Sequence, residues 1–187
     1  QSQARKVEAE LSLLKAQINP HFLFNSLNNI YSLAMSKDDN TAPAILTLSN
    51  ILRYVTEEVS HNFVPLDKEI NCVRDYILLQ ELRMNKKMSV EFTTRGNSSG
   101  LFIAPMILMT FIENAFKYGV STHHASPISI RLESDGDSLK FSCRNTIFPS
   151  NSSLESTGIG LKNTRQRLDL FYPGKYKLDI DASSDFF

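Results

Sequence analysis

The sequence lacks any excess of charge of one sign. Lys and Arg together number 20, as do Asp and Glu, so the formal net charge at pH 7 is zero. Proteins that bind nucleic acids or anionic membranes usually present a broad basic surface, which this composition does not provide. We therefore expect no nucleic-acid partner, and a protein partner has to be recognised through a local surface.

Cysteine and long apolar runs are also scarce. The two cysteines, Cys72 and Cys143, lie far apart and belong to no CxxC or Cys–His pattern, so neither a metal site nor a disulfide framework is predicted. A reducing compartment is the simplest setting. The chain has no signal peptide and no run of about 18 apolar residues, the length that a membrane-spanning helix requires. We therefore expect it to be soluble.

The chain does contain enough apolar residues, 42% of 187, to form the core of one or two small domains. Residues 1–35 are typical of one long helix that bends or restarts at Pro20, and a second helix follows a polar turn at residues 37–40. Because a two-helix hairpin has little core of its own, we expect two copies to pair as a four-helix bundle, which makes a homodimer. The predicted apolar stripes are Leu23, Leu27, Ile30 and Ala34 in the first helix, and Ile45, Leu48, Leu52, Val55 and Val59 in the second.

Pro20 and His21 interrupt the first helix in an unusual way. A proline inside a helix costs about 3 kcal/mol, so either another interaction offsets that cost or the helix restarts here, with Asn19 as its N-cap. His21 falls on the face opposite the apolar stripe, where a single imidazole stands among amides and a hydroxyl group. A purely structural role for His21 is therefore the less favoured interpretation. Its polar neighbours on this face are Asn25, Asn28, Asn29 and Ser32.

Three further helices are predicted. Asp67 is placed to cap the first of them, which ends near Met84, and Pro105 is placed at the start of the second. The third runs from Gly158 to about Phe171 and follows a polar loop that we expect to be mobile. The apolar side of the helix after Asp67 consists of Leu66, Ile70, Val73 and Ile77.

Alternating apolar residues predict the strands. They occur at residues 88–92, 128–132, 139–143 and 176–180, and the second and third form a hairpin around a turn at residues 134–137. Helices on one side of a mostly antiparallel sheet make a two-layer α+β sandwich. We expect two domains, a helical hairpin of residues 1–64 and an α+β domain of residues 65–187.

Glu113, Asn114 and Lys117 place a carboxylate, an amide and an ammonium group at the end of an otherwise apolar helix. An amide oxygen suits Mg²⁺, which takes few protein ligands and binds phosphate oxygens as well, and Lys117 can reach a phosphate as a point charge. The alternative is an ordinary helix end, in which Lys117 meets the helix dipole and Gly119 caps the last turn.

Gly158 and Gly160 precede the last predicted helix. Glycines at such a position let the backbone approach a ligand closely and direct free N–H groups at an anion. A glycine-rich loop end without a ligand is the alternative, and this pattern alone does not decide between the two.

Residues 17–30 resemble the phosphoacceptor segment of the LytS/YehU-type sensor histidine kinases, whose QxNPHFLFNxLN pattern is present here without a mismatch. The resemblance continues to about Ile180. It implies that His21 is phosphorylated, that a response regulator receiver domain is the partner, and that a sensor and transmembrane region lies upstream. The chain would then be the cytoplasmic portion of an inner-membrane sensor in a two-component system.

Residues 113–119 and 158–161 likewise resemble the N box and the G2 box of the Bergerat-type ATPase fold, which histidine kinases share with gyrase B and MutL. This resemblance implies ATP and Mg²⁺ as cofactors, with Glu113 polarising the attacking group and Asn114 holding the metal ion. It also implies that five further residues bind the nucleotide, namely Lys117, Tyr118, Gly158, Gly160 and Leu161. Tyr118 stands where the family commonly has a His.

One segment departs from the family pattern. Asn145 stands where an Asp usually reads the adenine, and residues 145–149 lack the glycines of the usual DxGxG element. An amide can still pair with adenine, but its donors and acceptors differ from those of a carboxylate. We therefore expect weak ATP binding that is dominated by Mg²⁺–phosphate contacts.

The expected function is ATP-dependent phosphorylation of His21, followed by transfer of the phosphoryl group to a response regulator. Phe22 occupies the position where many histidine kinases carry an acidic base, so Glu113 is the candidate proton acceptor. The alternative is a signalling pseudokinase that binds a response regulator without catalysis. The missing glycines favour that alternative, whereas the intact His21, Glu113 and Asn114 favour the enzyme. The histidines expected at solvated surface positions are His61, His123 and His124.

Overall fold

The computed structural model describes residues 20–83, 88–121, 124–148 and 157–181. Within these ranges the chain is an α+β protein with five helices and five strands, which confirms the predicted class. None of these five helices combines the length and the apolar character that crossing a membrane requires. In chain order the elements are α1 (Pro20–Met35), α2 (Thr41–Glu57), β1 (Val64–Pro65), α3 (Leu66–Arg83), β2 (Met88–Arg95), β3 (Phe102–Ile103), α4 (Ile107–Tyr118), β4 (Ser126–Asp135), β5 (Ser138–Asn145) and α5 (Thr157–Phe171).

The described residues form two compact units. Residues 20–61 and 70–83 make the first unit, and residues 62–69 together with the described residues from 88 onward make the second. Helix α3 therefore contributes its first turn to the second unit and the remainder to the first. The domain boundary predicted after residue 64 stays a prediction.

In the first unit, α1 buries Phe22, Ser26 and Ile30. This face differs from the predicted stripe, because Leu27 is 47% exposed. The difference arises because α3 packs in this unit as a third helix, with the ring of Tyr76 centred 4.8 Å from the ring of Phe22. The predicted stripe is based on a hairpin of α1 and α2 without this third helix.

Helix α2 largely confirms its predicted stripe, because Leu48, Val55 and the following Val59 are buried. Ile45 is 53% exposed, whereas Thr47 and Ile51 are buried. The amide of Asn50 donates a hydrogen bond to Asp75 of α3, which lowers the pKa of this carboxyl, although the larger effect of burial is to raise it. The upstream half of the predicted first helix lies outside the described residues.

Helix α3 confirms the predicted third helix. It ends at Arg83, one residue before the predicted end. Asp67 lies inside the first turn instead of capping it from outside, and its carboxylate accepts a hydrogen bond from the hydroxyl of Ser98. The buried apolar side of the helix is the predicted one and consists of Leu66, Ile70, Val73 and Ile77.

The main sheet of the second unit has the strand order β2-β4-β5. Strands β4 and β5 form the predicted antiparallel hairpin, whose turn contains Gly136 with a φ of 56°. Strand β2 runs parallel to β4, pairing Met88 with Ser126, so the prediction of a mostly antiparallel sheet is wrong for this half. The connection from β2 to β4 contains α4 and is long enough for a parallel crossover. Strands β1 and β3 form a separate antiparallel pair.

Two helices of this unit begin at positions other than the predicted ones. Helix α4 begins at Ile107, two residues after Pro105, because the N-cap residue Met106 has a left-handed φ of 61°. Helix α5 begins one residue before Gly158, so Gly158 and Gly160 lie in its first turn and not ahead of it. The polar loop predicted between β5 and α5 lies mostly outside the described residues.

The predicted last strand is wrong. Residues 176–180 pair with no strand in the part of the chain that the structure describes. These residues make local polar contacts instead. The hydroxyl of Tyr176 donates a hydrogen bond of 2.6 Å to Asp169, and Lys177 forms an ion pair of 2.8 Å with Asp179. An alternating pattern indicates an extended segment, but a strand also requires a neighbouring edge with which to pair.

Candidate functional site

The C-terminal half of α4 carries the polar residues that the sequence singled out. Lys117 lies four residues after Glu113 and three after Asn114, so the three side chains occupy neighbouring faces of the helix. Glu113 and Asn114 are partly buried, and Lys117 is exposed. The residues that fix the opposite face of α4 in the core are Ile107, Leu108, Met109, Ile112, Ala115 and Phe116.

Glu113 has an unusual acidity. Burial raises the pKa of its carboxyl from 4.5 to about 7, because removing a carboxylate from water disfavours its charged form. Near neutral pH this carboxyl is therefore divided between its protonated and ionised forms. A general base is most effective when its pKa lies close to the working pH. Glu113 is thus suited to accept a proton at about pH 7.

Asn114 has an unsatisfied amide. Its side-chain nitrogen is buried and has no hydrogen-bond partner among the described residues. Such a group costs about 1–3 kcal/mol, and native proteins contain few of them. A triphosphate would remove this cost if its oxygens accepted hydrogen bonds from the amide nitrogen, and the amide oxygen is a ligand of the type that Mg²⁺ takes. Asn114 therefore fits a complex of Mg²⁺ and a nucleotide.

The end of α4 lies directly against the end of β5. A Cβ atom placed on Gly119 would lie 2.5 Å from the carbonyl oxygen of Ala115 and 2.5 Å from the Cβ atom of Asn145. Asn145 is 2% exposed, and its side-chain nitrogen donates a hydrogen bond of 3.0 Å to the carbonyl oxygen of Thr146. The absent side chain of Gly119 thus brings Asn145 to the helix that carries Glu113.

The first turn of α5 lies against the same helix. A Cβ atom on Gly160 would be 3.6 Å from the Cγ2 methyl of Thr110, an ordinary van der Waals contact. Thr110 is four residues before Asn114 and therefore one helical turn away from it. Near the end of α4 the Nζ atom of Lys117 lies 4.9 Å from the centre of the Tyr118 ring, within the range of a cation–π contact.

The structure therefore gathers most of the predicted site residues around α4. Its last turns carry four of them, Asn145 lies at its end, and the turn with Gly160 lies beside its middle. Gly158 and the half-buried Leu161 belong to the same first turn of α5. His21 is the second residue of α1 and belongs to the first unit.

Two of the remaining histidines are exposed, as predicted. The Nδ1 atom of His61 is 3.2 Å from the carbonyl oxygen of Glu58, and the ring of His124 stacks on Phe148 with centres 6.0 Å apart. His123 lies outside the described residues.

Three residues that hold the turn before α4 belong to none of the motifs recognised in the sequence. They are Glu69, which is fully buried, and Arg167 and Tyr172. A signal for Glu69 was present, because it lies three residues after Leu66 and four before Val73 and therefore on the buried side of α3. No comparable signal marks Arg167 or Tyr172, whose partners are backbone groups more than sixty residues away.

Comparison with known proteins finds similarity to sensor histidine kinases. Residues 9–88 match the family model described as histidine kinase. Over 188 residues the chain is 27% identical to the sensor protein LytS of Staphylococcus saprophyticus, covering 94% of this chain and 32% of that protein. It is 29% identical over 175 residues to the sensor histidine kinase YpdA of Escherichia coli K12, covering 88% of this chain and 31% of that protein.

A third relative is the sensor histidine kinase/phosphatase LytS of Staphylococcus aureus. The identity is 24% over 191 residues, which cover 95% of this chain and 33% of the relative. The chain thus spans about a third of the length of the curated relatives that it matches. These similarities confirm the resemblance of residues 17–30 to the LytS/YehU-type sensor histidine kinases.

Proposed function

The chain is related to the LytS-type sensor histidine kinases, and from this premise we propose that it is the catalytic core of such a kinase. In the proposed reaction an imidazole nitrogen of His21 attacks the γ-phosphorus of ATP. A P–N bond forms, the bond between the γ-phosphorus and its bridging oxygen breaks, and ADP leaves. The phosphoryl group then passes to the receiver domain of a response regulator.

The observation that carries the proposal is the pairing of Glu113 and Asn114 on α4. Asn114 offers a buried amide without a partner among the described residues, which suits the phosphates and the metal ion of Mg²⁺–ATP. Bound Mg²⁺ supplies charge neutralisation at the phosphates. Lys117 adds a positive charge on a neighbouring face of the same helix. Catalysis then consists mainly of positioning and electrostatic stabilisation.

Glu113 is the proposed proton acceptor. The attacking imidazole loses its N–H proton as the P–N bond forms, so a base is needed at about neutral pH. A carboxyl whose burial raises its pKa to about 7 holds such a proton and releases it again without a large cost. This role requires that His21 be brought to α4, and the break in the helical pattern from His61 to Pro65 is the candidate hinge.

Asn145 limits the expected affinity for the base of the nucleotide. Its side-chain nitrogen already donates to the carbonyl oxygen of Thr146, so it is engaged within its own segment. We expect weak ATP binding with similar affinities for ATP and GTP. Titration calorimetry with both nucleotides measures this directly, and strong preference for ATP would show that the site reads the adenine.

The first unit supports the proposed homodimer. Four large apolar residues on α1 are exposed. They recur at intervals of three and four residues and therefore lie on one side of the helix. A second copy of this chain is the proposed occupant, because pairing two such helical units buries both exposed stripes in a four-helix bundle. The α1 residues and their exposures are Phe24 64%, Leu27 47%, Tyr31 66% and Met35 68%.

Sedimentation of charge variants tests this dimer. Replacing both Tyr31 and Met35 with Glu is expected to convert a dimer at tens of micromolar into a monomer, because a dimer of modest affinity populates in that range. The matched control replaces the exposed Ser32 and Ser36 with Glu, which adds the same charges at the same spacing away from the four apolar residues and should leave the dimer intact. A wild-type protein that sediments as a monomer contradicts the proposal.

The remaining features of the proposal come from the relationship. The second unit is proposed to be an ATP-binding sandwich of the Bergerat type, and the complete protein a membrane-anchored sensor with this chain on the cytoplasmic side. The second candidate function is a signalling pseudokinase. The specific observation in its favour is the segment from Asn145 to Pro149, which lacks the expected glycines.

Incubation with γ-labelled ATP and Mg²⁺ tests the central proposal. The wild type is expected to gain an acid-labile, base-stable label that His21→Gln abolishes. His61→Gln is the matched control, because His61 is an exposed histidine of the same unit and its variant should label normally. Label that survives His21→Gln contradicts the assignment. Absence of label from a wild type that still binds ATP favours the pseudokinase.

A further inference from the structure

The turn that leads into α4 is held by side chains from α3, from α5 and from Tyr172, the residue that follows α5. Three consecutive residues are involved, and each contributes one backbone group. The N–H of Ala104 donates to the hydroxyl of Tyr172 over 2.7 Å, and the carbonyl oxygen of Pro105 accepts from the Nη2 atom of Arg167 over 2.6 Å. The third bond involves Met106. Its N–H donates to the Oε2 atom of Glu69 over 3.0 Å.

Helix α4 lacks the usual means of stabilising its own N-terminus. Its N-cap residue, Met106, makes no side-chain capping hydrogen bond, and no acidic residue occupies the first turn. Met106 also has a left-handed φ of 61°, a conformation that costs a non-glycine residue roughly 1–2 kcal/mol. An external interaction is therefore needed to hold this turn.

Glu69 supplies what α4 lacks. Its carboxylate accepts the hydrogen bond of the N-cap N–H, and its negative charge lies at the positive end of the α4 dipole. The side chain is fully buried, so little water competes for this bond. Glu69 also lies in the first turn of α3, where an acidic residue is favourable for the same reason.

Arg167 and Tyr172 complete the arrangement from the side of α5. Burial is the main cause that raises the pKa of the Tyr172 hydroxyl, and the charge of Glu69 raises this pKa further, whereas the charge of Arg167 lowers it. The two charged groups therefore lie close to this hydroxyl. The same helix α5 carries Gly158 and Gly160 in its first turn, next to the middle of α4.

We propose that Glu69 is a positioning residue of the nucleotide site, acting through the turn at Met106. This inference rests on the proposed function. Glu113 and Asn114 lie seven and eight residues after Met106, about two helical turns away. A change in the first turn of α4 alters the rotation and axial position of both side chains. Arg167 and Tyr172 bond the two preceding residues of the same turn.

The test compares two substitutions at one position. Glu69→Gln keeps an acceptor oxygen for the N–H of Met106, whereas Glu69→Leu fills a similar volume and removes the acceptor. The measured quantity is the Mg²⁺ concentration that gives half-maximal ATP binding, at a temperature at which circular dichroism shows each variant folded. We expect Glu69→Leu to raise this concentration about 10–100-fold, the usual effect of losing a partner that orients a metal ligand. Glu69→Gln should remain within about threefold of the wild type.

Two results would overturn the proposal. One is a folded Glu69→Leu variant with the Mg²⁺ dependence of the wild type, and the other is a Glu69→Gln variant that is as impaired as Glu69→Leu. Should Glu69→Leu not fold, Tyr172→Phe loosens the same turn by removing one hydroxyl. We expect it to raise the half-maximal Mg²⁺ concentration about threefold, and an unchanged value contradicts the proposal.

Amide hydrogen exchange without nucleotide separates this inference from the proposed function. Glu69→Leu should accelerate exchange across Ile107–Glu113, whereas β4 should keep the protection of the wild type. If the wild type binds no Mg²⁺–ATP, the proposed function fails, and exchange alone then decides whether Glu69 positions α4. Unchanged protection of Ile107–Glu113 in the variant overturns the positioning role.

Discussion

At the N-terminal end of α4, side chains of α3, of α5 and of Tyr172 bond three consecutive backbone groups, whereas its C-terminal half contains two costly polar groups. Asn114 has a buried nitrogen without a partner among the described residues, and the carboxyl of Glu113 is desolvated. Partners from distant parts of the chain satisfy the backbone groups at one end, whereas the burial of two polar side chains at the other end violates the local rules of stability. Such violations are typical of functional sites, where a ligand completes the interactions that the protein leaves open.

Substitution of Gly119 tests how tightly the C-terminal end of α4 packs against Asn145. Gly119→Ala places a methyl group 2.5 Å from the Ala115 carbonyl oxygen and 2.5 Å from the Cβ atom of Asn145. We expect a loss of about 3 kcal/mol in the free energy of unfolding, at the upper end of the range for overpacking. Denaturant unfolding measures the change.

Gly160→Ala is the control for this substitution. Its new methyl group would meet only an ordinary contact at 3.6 Å, and alanine favours a helix by about 1 kcal/mol over glycine. We expect it to be neutral or stabilising. A Gly119→Ala variant as stable as the Gly160→Ala variant would show that the end of α4 can move away from β5.

Glu113→Gln tests the cost of the desolvated carboxyl. The folded-state pKa is raised, so burial favours the protonated form and stability is greatest below the ordinary pKa of 4.5. This contribution is lost as the pH rises from 4.5 to about 7, and the full loss is about 3 kcal/mol. At pH 8 the variant should therefore unfold at higher denaturant concentration than the wild type. At pH 4 the two proteins should be equally stable.

The same substitution should impair phosphoryl transfer. Removing a general base lowers a rate by about 10²–10⁴-fold, and the wild-type rate should rise with pH through about 7 as Glu113 ionises. Single-turnover labelling at several pH values measures both effects. A Glu113→Gln variant that is more stable at pH 8 but transfers normally would assign the base to another group.

Asn114→Leu tests the smaller cost, that of the unpaired amide. Replacing a buried unsatisfied group with an apolar one of similar size should stabilise the protein without nucleotide by about 1–3 kcal/mol. The same change should eliminate Mg²⁺-dependent ATP binding, because both the donor and the metal ligand are lost. Thermal unfolding with and without Mg²⁺–ATP measures both effects. Asn163→Ala, at an exposed position on α5, is the control and should change neither. Destabilisation by Asn114→Leu would show that the amide has a partner after all.

Elements with local signals could be predicted from the sequence. The hairpin of β4 and β5 follows from two alternating segments around Gly136, and α3 follows from its spaced apolar residues. The buried face of α1 could not be predicted from a hairpin, because the position of Tyr76 against Phe22 depends on a third helix. The parallel pairing of β2 with β4 depends on a crossover that no local pattern specifies.

The residue types of the candidate site were visible in the sequence, but their physical state was not. The series Glu113, Asn114 and Lys117 is a recognisable motif, whereas the raised pKa of Glu113 results from burial by the complete fold. The approach of Gly119 to Asn145 likewise joins two segments that are distant in the chain. Long-range contacts of this kind are set by tertiary packing and have no local signature.

The turn before α4 also has a consequence for the order of folding. Its three bonds join residues separated by 37, 62 and 68 positions, so each requires the closure of a long loop. Loop closure of this length opposes early formation, and contacts of high sequence separation slow folding. We expect the first turn of α4 to gain amide protection later than the β4–β5 hairpin. During synthesis the candidate site can be completed only after Tyr172 has left the ribosome.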